Sequence, residues 1–311
     1  MHLVVIMDPP ETVILQADTS YALMAEAQKR GHRIDHCLIS DLFLQQTRLG
    51  AWVRPATLQH DENLPMLLGE MRSIWLDEVD VVLVRKDPPF DPHYLWTTLL
   101  LEHVRDKTLV LNDPRGLREA NEKLFACNFP ELMPETIITS HSGSIRDFVR
   151  DVGGHAVIKP IDGAGGSGVM ALRIGDPNFN AIVETATASG THLAMVQRYL
   201  EAITQGDKRV LILDGEPLGA LLRVPQRGDL RSNLHVGGKA AATQLDDHDY
   251  KIVDAIRGAL RQNGLYFVGI DIIGGKLTEI NVTSPTGIQQ MSRLMDKNLS
   301  APVIDWIEAR L

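Results

Sequence analysis

Cysteine is almost missing from the chain. Cys37 and Cys127 are the only two in 311 residues, too few for a disulfide framework or a thiolate metal site, so a reducing cytoplasm is the expected compartment. Positive charge is also scarce. Lys and Arg total 31 against 40 Asp and Glu, a formal net charge of −9, and with no long basic run the chain is not expected to bind nucleic acid. No apolar stretch approaches a membrane span, so no membrane partner is expected either. The run at residues 3–7 is short and broken by Asp8-Pro9-Pro10, which reads as a first strand rather than a signal peptide. Internal repeats and low-complexity tracts are absent too.

What remains is the composition of an ordinary globular enzyme, 44% hydrophobic and 23% charged, in a chain long enough for two or three packed units. Residues 1–120 alternate strand and helix. Strands at 3–7, 34–39, 79–84 and 109–111, with helices at 18–30 and 92–104, predict a doubly wound, largely parallel sheet. Ligands in such sheets sit beyond the carboxyl ends of the strands, where Arg85-Lys86-Asp87-Pro88-Pro89-Phe90-Asp91 falls. There Arg85 either grips a substrate carboxylate or simply pairs with Asp87 or Asp91.

Breakers at Pro114 and Gly116 mark a boundary, and residues 121–201 read as a small α+β unit with a glycine loop between two strands. Residues 202–311 read as a third, α+β unit. It holds a hairpin turning at Asp214-Gly215, a long polar loop at 225–239, a helix at 246–263, a second hairpin and a terminal helix at 302–310.

The glycine loop, Gly163-Ala164-Gly165-Gly166-Ser167-Gly168, matches the dinucleotide fingerprint G-x-G-x-x-G letter for letter. Its context is wrong for that motif, because residues 169–174 read as a strand where the fingerprint must open a helix. No Lys-Ser or Lys-Thr follows, so it is not a P-loop either. A glycine flap between antiparallel strands, preceded by Lys159, has the physical logic of a phosphate cover.

The second hairpin, residues 267–282, is apolar apart from its oxygen ligands. Glu279 and Asn281 share a strand face. A two-residue turn at Gly274-Gly275 would set Asp271 opposite Thr278 and lose it from that face, whereas a three-residue loop, 274–276, would set Asp271 opposite Glu279. The three-residue loop is the expectation here. It converges two carboxylates and an amide oxygen, a set suited to Mg²⁺ shared with phosphates. Thr283-Ser284-Pro285-Thr286-Gly287 follows at once and could form an anion nest. The histidines show no metal spacing, so His32, His36 and His155 are expected to be structural or exposed.

Taken in order, Lys123, Lys159-Pro160, the flap, Gln197-Arg198-Tyr199-Leu200, Asp207-Lys208-Arg209 and Asp271 with Glu279-x-Asn281 resemble the ATP-grasp superfamily. The segments 85–91, 121–125, 206–210, 214–217, 269–274 and 278–286 more closely resemble its prokaryotic glutathione synthetase family along essentially the whole chain. The resemblance implies a homotetrameric, cytoplasmic ligase joining γ-glutamylcysteine to glycine with ATP cleaved to ADP and phosphate. Two Mg²⁺ ions, or Mn²⁺ in their place, would assist. It implies that Lys123 and Lys159 hold the ATP phosphates under Gly163, Gly165 and Gly166, that Gln197, Tyr199 and Leu200 carry the adenine hinge, and that Asp207 meets the ribose. Asp271, Glu279 and Asn281 would hold the metal ions. Arg209, Arg223 and Arg231 would steady the transferred phosphoryl group, and Arg85, Ser284 and Thr286 would face the acid and amine substrates. Departures fall on the acceptor side: an extra Arg227, a serine at Ser232 and a glycine at Gly287. A ligase of the same fold joining a different acid and amine is the alternative they leave open.

Overall fold

The structure is a computed structural model and describes residues 1–226, 231–234 and 237–311. The polar loop expected at 225–239 therefore lies partly outside the described residues, as does Arg227.

The first sheet carries β1 (His2–Met7), β2 (Arg33–Cys37), β3 (Leu42–Gln45), β4 (Arg48–Leu58), β5 (Met66–Leu68), β6 (Arg72–Trp75), β7 (Val81–Arg85) and β8 (Leu109–Leu111). Its main path runs β3-β4-β2-β1-β7-β8. β1 is parallel to β2 and β7, and β7 is parallel to β8. Being covered on both faces, β1 and β7 are continuous apolar runs rather than alternating ones. Helices α1 (Thr19–Lys29), α2 (Pro92–Leu101) and α3 (Pro114–Glu119) supply the cover. The Asp18 side chain caps α1 by accepting from the Tyr21 amide at 2.6 Å. The parallel core is the expected one, and the structure adds four antiparallel strands, β3 to β6, over residues 42–75. Those strands are short or interrupted by Gly50 and Pro55, so their alternation is weak in the sequence.

The second sheet, order β11-β10-β12-β9, is wholly antiparallel. Its strands are β9 (Thr136–Thr139), β10 (His155–Pro160), β11 (Met170–Arg173) and β12 (Ala194–Arg198). Helices α4 (Ser142–Asp151) and α5 (Phe179–Ala186) bury Ile145, Val149, Phe179 and Val183 against it. The glycine loop joins β10 to β11, two antiparallel neighbours.

The third sheet, order β15-β14-β13-β16-β17, comprises β13 (Asp207–Leu213), β14 (Glu216–Val224), β15 (Lys239–Ala241), β16 (Phe267–Ile273) and β17 (Lys276–Asn281). Alternation along β13 divides its faces. Val210 and Ile212 pack with Ile252, Val253 and Ile256 of α6 (Asp247–Gln262), while Leu211 joins Ile288 and Met291 of α7 (Ile288–Met295) and Val303 of α8 (Ser300–Glu308). That second face shares one core with Leu3, Val5 and α1, so the first and third sheets are packed together. Asn112 fastens them further. Its amide nitrogen donates to the Phe267 carbonyl at 2.8 Å and the Val282 carbonyl at 2.9 Å, and its oxygen accepts from the Phe267 amide at 2.8 Å.

The β16–β17 hairpin corrects one expectation. Asp271 does lie opposite Glu279, but the turn has two residues: Ile273 pairs with Lys276 across Gly274-Gly275, both at positive φ. The register is rescued by a bulge next to Asp271, where the ladder steps from Ile272–Leu277 to Asp271–Glu279 and leaves Thr278 unpaired. Thr278 turns its hydroxyl to the Asp271 carbonyl at 3.1 Å.

Candidate active site

The hairpin, the flap and the first turn of the second unit meet around Lys123. Its Nζ donates to the Gly163 carbonyl and lies 3.5 Å from the Glu279 carboxylate. The same cavity is walled by Lys159, the flap, the β12 end at Gln197, Tyr199 and Leu200, and by Asp207, Arg231 and Asp271. Burial lowers the Lys159 pKa, with Glu279 partly offsetting it. Among the described residues no carboxylate lies within ion-pair distance of Lys159, so its charge faces the cavity without a direct partner. Gln197 is held by a 3.1 Å hydrogen bond to Thr136. The Tyr199 ring stacks on His155 at 3.7 Å, so His155 braces the segment after β12 rather than standing free.

Gly166 shows why the flap needs glycine. Its φ is +82°, and a Cβ there would lie 2.6 Å from the Asn233 side-chain oxygen. Backbone can therefore approach closely at this point.

Behind the lysines sits a buried cluster of two cations and two anions. Arg209 forks onto Asp271, its Nη2 3.1 Å from Oδ2, while Arg223 lies 2.9 Å from Asp271 Oδ1 and also binds Asp207. Asp271 is only 3% exposed, and burial alone would raise its pKa, yet Arg209 and Arg223 hold it well below the usual carboxylate range. Asp207 goes the other way. Burial outweighs Arg223, and with Asp271 adding like charge its pKa is pushed up to about 6. One Asp207 oxygen takes Arg223 and the Ser232 hydroxyl at 3.0 Å, and the other has no partner among the described residues. Ser232, a departure noted in the sequence, is thus spent on ordering Asp207.

The donor set of the hairpin fits a hard divalent cation. Asp271 and Glu279 oppose one another, and Asn281 shares their face, its amide 3.4 Å from Asp271. All the donors are oxygen. Among the described residues no group of three acids, histidines or cysteines forms a closed metal cage, so phosphate oxygens and water would complete the coordination.

A second opening of about 860 Å³ adjoins the cavity, within the size range of small-molecule sites. Glu279, Ala164, Gly165 and Asn233 line both. Arg85, Arg209, Ser284 and Thr286 face the groove. Arg85 pairs with neither Asp87 nor Asp91. Its Nε donates to Ser20 at 3.1 Å and its Nη2 to the Pro285 carbonyl at 2.9 Å, while the Ser284 hydroxyl donates to the Arg85 carbonyl. Gly287 opens α7 at φ +116° and also lines the groove.

Sequence reasoning missed Glu122. Its carboxylate accepts from the Val282 amide at 3.1 Å and from the amide and hydroxyl of Thr283 at 3.2 and 2.8 Å, clamping the start of the second unit to the end of the hairpin. The residue stands beside Lys123 in a quoted segment, but nothing local reveals a partner 160 positions away.

A glycine flap over two lysines, two opposed carboxylates and an adjoining groove define an ATP-grasp enzyme, an ATP-dependent ligase. A solved D-cycloserine synthetase has the same fold, with a TM-score of 0.67 at 14% identity, covering 99% of this chain and all of that one. The family models narrow the class: residues 1–118 match the N-terminal domain of prokaryotic glutathione synthetase and residues 122–296 its ATP-grasp domain. The glutathione synthetase of Gloeobacter violaceus is 46% identical over 99% of this chain and 96% of its own length. That of Shewanella oneidensis is 42% identical over 99% and 98%. The chain belongs to the prokaryotic glutathione synthetase family.

Proposed function

We propose that the chain joins γ-glutamylcysteine to glycine, cleaving ATP to ADP and phosphate through an acyl phosphate. The observation that carries this reading is the placement of Glu279 and the flap on both openings, so that a nucleotide in the cavity and a carboxylic acid in the groove meet beside Lys123. A carboxylate is a poor acyl donor because its leaving oxygen is too basic. Phosphorylating it gives a group an amine can attack at neutral pH.

Each residue then has a part. Lys123 and Lys159 hold the phosphates, the flap at Gly163, Gly165 and Gly166 covers them, Gln197, Tyr199 and Leu200 receive the adenine, and the unpartnered oxygen of Asp207 is free to accept a ribose hydroxyl. Arg209, Arg223 and Arg231 spread the charge of the transferred group. Arg85 takes a carboxylate of the acid, with Ser284 and Thr286 at the acceptor side. Asp271, Glu279 and Asn281 would hold magnesium, or manganese in its place, as two ions that neutralise phosphate charge and align the phosphoryl group. Closing the flap excludes water that would hydrolyse the intermediate. A cytoplasmic homotetramer is the assembly this reading carries, with neither nucleic acid nor membrane as partner.

The test is substrate dependence. Purified protein given ATP, Mg²⁺ and γ-glutamylcysteine should release ADP and phosphate rapidly only when glycine is added, and alanine, β-alanine and serine should be poorer acceptors. Faster turnover with another acid or amine would assign the chain to a different ligation.

A further inference from the structure

Side chains along β10 divide by alternation between two faces. Ala156 and Ile158 are fully buried in the core beneath α4 and α5, which sends His155, Val157 and Lys159 to the opposite face. Val157 and Lys159 line the cavity, and so does Gln197, the partner of Val157 on β12. His155 stands one step short of it. Tyr199 covers the imidazole instead, with ring centroids 3.7 Å apart and planes 18° from parallel, and Tyr199 itself walls the cavity beside Leu200. The Tyr199 amide also donates to the His155 carbonyl at 3.1 Å, so backbone and ring are both set by one residue.

The nitrogens of His155 contribute little. Its buried Nε2 has no hydrogen-bond partner among the described residues, and Nδ1 lies 3.8 Å from Glu201, a carboxylate 83% exposed to solvent, where an ion pair is worth little. Burial, with Arg173 opposite on β11, holds the imidazole pKa below its ordinary 6.5, Glu201 only partly opposing them. What remains is a flat face, and stacked rings favour a fixed separation and tilt. We propose that His155 is a positioning residue for the nucleotide base: its ring is the platform that sets the plane of Tyr199, and Tyr199 with Leu200 then meets the base at a fixed height in the cavity. The inference rests on that cavity receiving ATP, and it adds a residue that touches no ligand. Such a platform acts on the base alone, because other side chains serve the ribose and phosphates.

Calorimetric titration of the intact protein with ADP and with GDP, each with Mg²⁺ and without acid or amine, tests it. The two nucleotides share ribose and phosphates and differ only in the base. Wild type should bind ADP more tightly than GDP. His155→Ala should weaken ADP by about fivefold and leave GDP within about twofold, so that the preference shrinks. His155→Phe keeps a flat ring and should hold ADP within about twofold of wild type, whereas His155→Gln keeps polarity without a ring and should behave like His155→Ala. Melting temperatures check that each variant folds. Equal weakening of ADP and GDP would reduce His155 to a structural residue, and recovery by Gln but not Phe would replace the stack with a polar contact; either result overturns the inference, as does unchanged ADP binding in His155→Ala. If wild type binds neither nucleotide, the reading of the cavity itself fails and takes the inference with it.

Discussion

Glu279 faces Lys123 at 3.5 Å and Asp271 across the ladder, on the line where the cavity and groove join. A carboxylate there is an oxygen donor for a metal and a counter-charge for the lysine, and an amide of the same shape is a weak substitute for either. Glu279→Gln should therefore keep the fold and lower kcat by far more than tenfold. A loss within about tenfold, worth only ~1.4 kcal/mol, would remove Glu279 from the machinery. His36, on β2 and bonded to the Asp8 carbonyl, gives a stability test. Burial lowers its pKa from an ordinary 6.5, the Asp8 carbonyl only partly opposing this. The unfolded chain thus takes up a proton that the folded chain refuses. The stabilisation from this group is complete above the unfolded value and is lost as pH falls below about 6.5. Between about pH 8 and about pH 5 the melting temperature should fall less for His36→Gln than for wild type; parallel curves would contradict the assignment. At this scale the sequence was legible where polar residues two apart on a strand share a face, as with Glu279 and Asn281. It was silent on Asp207 with Ser232 and on Glu122 with Thr283, which depend on distant segments arriving together.

Among the elements, the β16–β17 hairpin and the flap border both the cavity and the groove. Their positions in the chain were readable from glycines set between apolar runs, and so was the rejection of a dinucleotide fold, because β11 follows the flap. Turn length was not readable. A bulge and a longer loop both move the register by one residue, and only the geometry at Thr278 distinguishes them. The antiparallel strands β3 to β6 were likewise hidden, since β3, β5 and β6 have only three or four residues each and Gly50 and Pro55 interrupt β4. Gly166 makes the flap testable. Ala at φ +82° adds ~1–2 kcal/mol of backbone strain that opening the flap would relieve, and its Cβ, 2.6 Å from the Asn233 side-chain oxygen, obliges that side chain to shift. Gly166→Ala should raise the KM for ATP by about tenfold with little change in melting temperature. An unchanged KM would show that the flap does not close over the nucleotide.

For the whole molecule, three sheets are held so that one opening can receive a nucleotide and the next a peptide. Asn112 bonds the end of β8 to both sides of the β16–β17 hairpin. Asn112→Ala would leave three buried backbone groups without partners, each costing ~1–3 kcal/mol, so stability should fall by about 3 kcal/mol or more in denaturant unfolding. A loss below about 1 kcal/mol would mean that the sheets are held by their shared apolar core alone. The parallel core of the first sheet was legible because buried strands and helix caps are local signals. The packing of β13 between α6 and α7 was not, since both its faces are apolar. An acyl phosphate route dictates the path of one oxygen atom. If the acid attacks the terminal phosphorus of ATP, a heavy-oxygen label in the cysteinyl carboxylate of γ-glutamylcysteine should leave in inorganic phosphate, one atom per turnover, with ADP unlabelled. Label in AMP, or none in phosphate, would contradict the account.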